Sequence, residues 1–140
     1  MAQQEITLEL AEQVLQAQPF SVFVGAQVVN LTPGAAILQL KVKDHHKQQN
    51  GFLHGGMISY LADNALTFAG GSVLGPAVLT AGFSIEYLRP VRGPLVQAVA
   101  EVADSTSRNA VCRCRIVSID ESGDVIGCAF AQGTIRAFSK

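Results

Sequence analysis

Charge is scarce in this sequence. Asp, Glu, Lys and Arg make up 15% of its 140 residues, against roughly 25% in ordinary soluble proteins, so part of the surface is expected to lie against another subunit. Ten basic residues nearly balance eleven acidic ones, the net charge is -1, and no Lys or Arg precedes Lys41. Without a basic arm or stripe for a polyphosphate backbone, nucleic-acid binding is not expected. Cysteine is limited to Cys112, Cys114 and Cys128. An odd number of thiols in strand-like segments reads as small buried apolar groups of a reduced, intracellular protein. The opening MAQQEITLELAEQVL lacks a basic stretch followed by an apolar one, so neither a signal nor a transit peptide is expected and the location is read as cytoplasmic. Residues 64–85 carry no charge, but Gly70-Gly71 and Gly75-Pro76 divide them into pieces too short to span a bilayer. Internal repeats and low-complexity segments are missing too, as are phosphate-loop, dinucleotide and GxSxG patterns, which removes kinase, Rossmann and serine-hydrolase readings.

What is present is apolar: 49% of the chain. At this length one domain over residues 1–140 buries roughly 70% of its unfolded surface. Thr7 is placed to cap a short helix with Glu9 in its first turn and Leu8, Ala11 and Leu15 on one face, ended by Pro19. Valine-rich residues 20–31 and the alternating Ala36, Leu38, Leu40 and Val42 read as two strands around a Thr32-Pro33-Gly34 turn. Residues 44–53 are polar and aperiodic, hence a loop. From Met57 to Ala69 apolar side chains surround the whole helical circumference, the mark of a buried helix, with Gly70-Gly71 as its stop. Four strand-like segments follow, at residues 77–88, 95–104, 110–119 and 125–136, separated by short turns that predict an antiparallel meander. One buried helix with two strands before it and four after it makes an α+β domain, a curved antiparallel sheet wrapped around a central helix.

Asp63 is the anomaly: a carboxylate in the middle of the most apolar helix, costly to desolvate unless paired. Ser59, Asp63 and Thr67 recur every four residues and form one polar stripe on that helix. A core carboxylate tied to backbone is the bland alternative to a stripe that faces a site or interface. Ahead of it, Gly55-Gly56 stands at the helix start, where unpaired N–H groups and the positive dipole end suit an anion or a developing oxyanion. Permissive backbone is the competing explanation for those glycines.

The segment Gln48-Gln49-Asn50-Gly51-Phe52-Leu53-His54-Gly55-Gly56, followed by Leu61-Ala62-Asp63 and Tyr87-Leu88-Arg89-Pro90, resembles hotdog-fold acyl-CoA thioesterases of the phenylacetate-degradation (PaaI-like) group. The match covers about residues 48–93, and the order of elements agrees along the chain. The resemblance implies a hotdog fold and hydrolysis of an acyl-CoA substrate to free acid and coenzyme A, with no metal or separate cofactor. It implies that the Gly55 amide polarises the thioester carbonyl and that Asp63 is nucleophile or general base for water. The group usually carries asparagine six positions before the histidine of the HGG motif. Here Gln48 stands there, as in a related hotdog subgroup, with Asn50 two residues later; Gln48 is the first choice for orienting substrate or water and Asn50 the fallback. Thr80 matches a hydroxyl that holds the attacking water in some relatives, and Thr67 matches a threonine of the other subgroup. His54 is expected to position the amide rather than to react, since an imidazolium is disfavoured at a helix N-terminus.

Gly56 and the turn residues Arg89, Arg92 and Arg108 are the candidates for contacting the coenzyme A part, guanidinium groups being suited to phosphates. His45 and His46 lack further ligands at orderly spacing and read as solvated loop residues. Cys112 and Cys114 share a strand face without a base or second ligand pair and read as packing. A hotdog hydratase or dehydratase, and a non-catalytic acyl-CoA binding protein, are the competing functions. Gly55 and Asp63 lie eight residues apart, roughly 12 Å along one helix. One carbonyl carbon must approach its attacker to about 3–3.5 Å, so a site shared across a homodimer is expected, and the resemblance implies that dimers pair into a homotetramer.

Overall fold

A computed structural model describes residues 6–138. The chain opens with α1 (Leu8–Gln16), whose first turn is capped by Thr7: its hydroxyl accepts the Leu10 N–H at 3.1 Å. Ala11 and Leu15 are its buried face, while Leu8 stays exposed. Residues 20–31 do not form one strand. Pro19, with its fixed φ, starts a second short helix α2 (Pro19–Val24), which Gly25 stops at φ 86°, and only then does β1 (Gln27–Thr32) begin.

A turn leads to β2 (Ala35–Lys41), where Ala36, Leu38 and Leu40 alternate inward as the pattern requires. After the loop comes the central helix α3 (Gly55–Leu74), then β3 (Val78–Tyr87), β4 (Leu95–Ser105), β5 (Asn109–Ile119) and β6 (Val125–Ala137). The six antiparallel strands run in the order β1-β2-β4-β5-β6-β3 and α3 packs on one face of the sheet. β4, β5 and β6 make the expected meander. β3 departs from it, pairing with β6 rather than β4 and ending as an edge strand.

The helix does not stop at Gly70-Gly71. It continues to Leu74 and ends at Gly75, whose φ is 103°. Gly70 serves close approach instead: a Cβ there would sit 2.7 Å from that of Ile135 on β6, so any side chain would push helix and sheet apart. Leu61, Ala62, Ala65, Leu66 and Ala69 press into the sheet with no exposure, whereas Ser59, Tyr60, Asp63, Asn64 and Thr67 form a half-exposed band along the opposite side. Among the described residues no helix is long and apolar enough to cross a membrane.

Candidate active site

The loop before α3 is more ordered than its composition suggests. Asp44–His46 is a 3-10 turn, and His46 is buried instead of solvated. Its Nδ1 accepts the Lys43 N–H at 3.0 Å, so the ring proton sits on Nε2 and is donated to the Val24 carbonyl at 2.8 Å. The His46 carbonyl in turn accepts the His54 N–H at 2.9 Å, and a bridge between Lys47 and Leu53 closes the loop. His46 thus ties α2 to the residue that begins α3, and polar loop composition gave no sign of it.

Burial lowers the His46 pKa, opposed by the Val24 carbonyl and assisted by the charges of His45 and Lys43. The unfolded chain, with an ordinary value near 6.5, binds the proton more readily than the fold does. Stability from this group is therefore complete above about pH 6.5 and is lost as pH falls from there through the lower folded value. The urea midpoint should fall over that interval. A His46→Gln variant, able to keep the donation to Val24, should lose that part of the slope; an unchanged slope would assign the acid sensitivity to other groups.

His54 caps α3 with its side chain: Nδ1 accepts the Gly56 N–H at 2.8 Å. That leaves the neighbouring Gly55 N–H with no acceptor among the described residues. Tyr87, at the end of β3, donates to the Gly55 carbonyl at 3.1 Å and accepts from Ser59 at 2.6 Å, fixing the first turn of the helix to the sheet edge. An amide N–H without an acceptor among the described residues, at the positive end of a twenty-residue helix, is an arrangement that suits a developing oxyanion.

Two turns further along, Asp63 is half-buried at an open surface recess of about 190 Å³. Thr80 donates to its Oδ1 at 2.6 Å. Having one proton each, the threonines can satisfy their 2.9 Å contact only with Thr67 donating, a proton it shares with the Asp63 carbonyl oxygen at 2.8 Å. Oδ2 accepts nothing among the described residues, so one lone-pair face of the carboxylate is held and the other is open. The strand irregularity explains the aim of Thr80: pairing of β3 with β6 shifts between Thr80 and Gly82, and side chains on either side of Ala81 change phase. A bulge at that point turns the hydroxyl toward the helix.

The sequence profile of the thioesterase superfamily matches residues 50–123, more than half of the chain. The chain belongs to the thioesterase superfamily. Among curated proteins it is similar to a 1,4-dihydroxy-2-naphthoyl-CoA hydrolase of Listeria monocytogenes serotype 1/2a (strain 10403S), with 31% identity over 80 residues; these are 56% of this chain and 65% of that relative, just under two thirds of its length. Its fold is similar to that of a thioesterase family protein from Silicibacter pomeroyi, with a TM-score of 0.87 and 26% identity over 93% of this chain and 96% of that one. It also resembles a mutant of the phenylacetic acid degradation protein PaaI from Thermus thermophilus, with a TM-score of 0.75 and 30% identity over 86% of this chain and all of that one. The curved sheet around α3 is the hotdog fold, and the PaaI-like resemblance holds.

Other residues of this thioesterase-superfamily site stand at varying distances from Asp63. The Gln48 side chain turns back on its own loop, where Oε1 accepts the Asn50 N–H at 2.5 Å, and Asn50 is exposed. Neither side chain hydrogen-bonds to Asp63. Arg89, donating to the Gly127 carbonyl, and Arg92, stacked 4.6 Å from the Phe52 ring, border one open surface groove of about 730 Å³. Arg108 lies at the opposite end of β5, roughly 35 Å of strand away. Cys112, Cys114 and Cys128 are buried free thiols, the first two pushed up by burial to about 11 and about 12. No cluster of metal-ligating side chains occurs among the described residues.

Four residues escaped the sequence reading. Gln18, Ser21, Tyr60 and Asn64 form one hydrogen-bonded group beside Asp63. They come from α2, its N-cap and α3, up to 46 positions apart, a juxtaposition that no local spacing announces.

Proposed function

We propose that the protein hydrolyses an acyl-CoA thioester to a free carboxylic acid and coenzyme A. The observation that carries this reading is the divided carboxylate: Asp63 Oδ1 is held by Thr80 while Oδ2 is open at a surface recess. Two routes use it. As general base, Asp63 takes a proton from water, whose oxygen bonds to the carbonyl carbon; the resulting oxyanion is met by the Gly55 N–H. Collapse breaks the C–S bond and the thiolate recovers the proton. As nucleophile, Asp63 itself bonds to that carbon and expels the thiolate, and water then cleaves the mixed anhydride. Gln48 or Asn50 orients water or substrate, His54 keeps the Gly55 turn in place, and Arg89 and Arg92 offer guanidinium groups to the phosphates. Coenzyme A enters as part of the substrate and the reaction as written uses no other cofactor.

The two halves of this machinery lie on one helix about 12 Å apart, and beside it one edge of β3 has no strand partner among the described residues. We place the working site between two copies of the chain related by a two-fold axis, with β3 edges meeting, and a pair of such dimers as the full assembly. A cytoplasmic location accords with three buried free thiols.

The test is a panel of short, long and aryl acyl-CoAs with a thiol reagent reporting release of coenzyme A. Stoichiometric release with formation of free acid is expected. A change at the acyl double bond without thiol release would make the protein a hydratase or dehydratase, and tight binding with neither would make it a silent acyl-CoA binder.

A further inference from the structure

Ser59 opens the polar stripe of α3, and no step of the hydrolysis uses it. Its hydroxyl meets the Tyr87 phenol at 2.6 Å, and the phenol donates its only proton to the Gly55 carbonyl at 3.1 Å. Ser59 is therefore the donor in its own contact. The three groups form one directed chain, Ser59 to Tyr87 to Gly55, and it ends on the residue whose amide is to meet the oxyanion.

Two peptide units join at Gly55, and between them they carry four polar groups. The His54 carbonyl accepts the Met57 N–H at 2.9 Å and the Ile58 N–H at 3.3 Å. The Gly55 carbonyl accepts from Tyr87, and the Gly56 N–H donates to His54 Nδ1 at 2.8 Å. The Gly55 N–H alone of the four has no partner among the described residues. His54, Met57 and Ile58 are neighbours in sequence, so the contact from Tyr87 is the one that ties this turn to the sheet. Tyr87 is itself held. It pairs with Ala129 of β6, and Leu88 and Arg89 after it both donate to the Cys128 carbonyl, at 2.8 and 3.0 Å. Its ring also covers Gly55, where an added Cβ would lie 3.8 Å from Cε1, Cζ and Oη.

Such a tie matters because two successive glycines have the greatest backbone freedom and the first turn of a helix lacks the inward bonds of later turns. A donor stabilises an oxyanion well only when it is aimed before the charge develops. We infer that Tyr87 and Ser59 are positioning residues: their hydroxyl chain fixes the Gly55–Gly56 peptide to β3 and so sets the direction of the Gly55 N–H. In this role neither hydroxyl contacts the reacting atoms. The inference rests on the hydrolase reading for what that N–H binds, whereas the anchoring is a property of the free chain.

Tyr87→Phe keeps the ring against Gly55 and removes the phenol proton. Ser59, having lost its acceptor, is then able to turn back on the Gly55 carbonyl four residues before it, so Ser59→Ala combined with Tyr87→Phe is the complete removal. Without substrate, exchange of the Gly56 amide with water, followed by NMR, should accelerate about tenfold in the double variant and less in Tyr87→Phe. With acyl-CoA, the double variant should lose about 10- to 100-fold in kcat with little change in KM, short of the about 100- to 1,000-fold that removal of the donor itself would cost. A ketone analogue of acetyl-CoA, with methylene in place of sulfur and carbon-13 at the carbonyl, reads the amide by infrared spectroscopy. Its bound carbonyl stretch should lie below that of the free ketone in the parent and rise in the double variant.

A lowered melting temperature with Gly56 exchange, kcat and carbonyl stretch all unchanged would make both residues packing only and overturn the inference. Should the double variant fold poorly, Tyr87→Phe alone decides, with the same three effects expected in the same directions. If the ketone does not bind and no thioester is cleaved, the hydrolase reading fails; faster Gly56 exchange would still uphold the anchor, and unchanged exchange would overturn it as well.

Discussion

Asp63→Asn should fold like the parent and lose most thioester turnover, about 100- to 10,000-fold, the range general-base catalysis supplies. The expectation of an intact fold comes from the hydrogen bonds. An amide oxygen in place of Oδ1 still accepts from Thr80, and Thr67 keeps its bond to the backbone carbonyl of residue 63. The new NH₂ takes the position of Oδ2, which is half-exposed at a surface recess and had no partner to lose. Only reactivity changes, since an amide neither accepts the proton of water nor attacks a carbonyl. Loss of kcat with an unchanged melting temperature and an unchanged affinity for a thioether analogue is the expected pattern. Turnover near that of the parent in a folded variant would remove Asp63 from the reaction. Gln48→Ala should cost less, because a positioning group leaves the reacting one in place; should Asn50→Ala prove the more damaging of the two, the orienting role belongs to Asn50.

Where local pattern coincided with tertiary demand, the fold was legible in the sequence. Alternation in residues 35–41 set one face of β2 against the core, and Thr7 capped α1 as its hydroxyl and position required. Local pattern failed where one residue type serves two purposes. Gly70-Gly71 reads as a helix stop because glycine tolerates left-handed backbone, yet Gly70 is helical and small because Ile135, 65 positions later, leaves no room for a Cβ. Valine and phenylalanine in residues 20–24 favour a strand by propensity, but Pro19 at the first helical position and Gly25 at the end outweigh them over six residues. The partner of β3 was beyond reach for a different reason, since short turns say which strands are adjacent in sequence and nothing about the strand that crosses to the far edge.

Within the site, the Asp63 stripe was visible as a helical period, and the band it belongs to is half-exposed and turned away from the sheet. Thr80 as a donor to Asp63 depended on a bulge, which sequence alone does not mark. His46 looked solvated because its neighbours are polar. Its burial reflects a tertiary partner, the Val24 carbonyl, 22 residues earlier.

Partial rescue of activity by mixing two inactive variants is the second large effect expected. The partner of Asp63→Asn should lack the Gly55 N–H and still fold, and Gly55→Pro meets both conditions. Gly55 is the first residue of α3, where proline's missing N–H costs no helical bond and its φ suits the turn. The preceding His54 already has the extended conformation that proline demands, with φ -60° and ψ 136°. Alone, Gly55→Pro should lose about 100- to 1,000-fold in kcat, the effect of removing one oxyanion donor. Mixed in equal amounts with Asp63→Asn and allowed to exchange, half of the dimers are hybrids. In each hybrid one of two sites unites the intact Asp63 of one chain with the intact Gly55 of the other, and the second site carries both defects. Activity should therefore rise to about a quarter of the parent's, following the kinetics of subunit exchange. If each chain served its own substrate with its own Gly55 and Asp63, every site in the mixture would keep a defect and nothing would be recovered. No rescue despite proven exchange, or a fully active monomer, would overturn the shared site; recovery would require that the edge of β3 and the polar band of α3 both face a second copy.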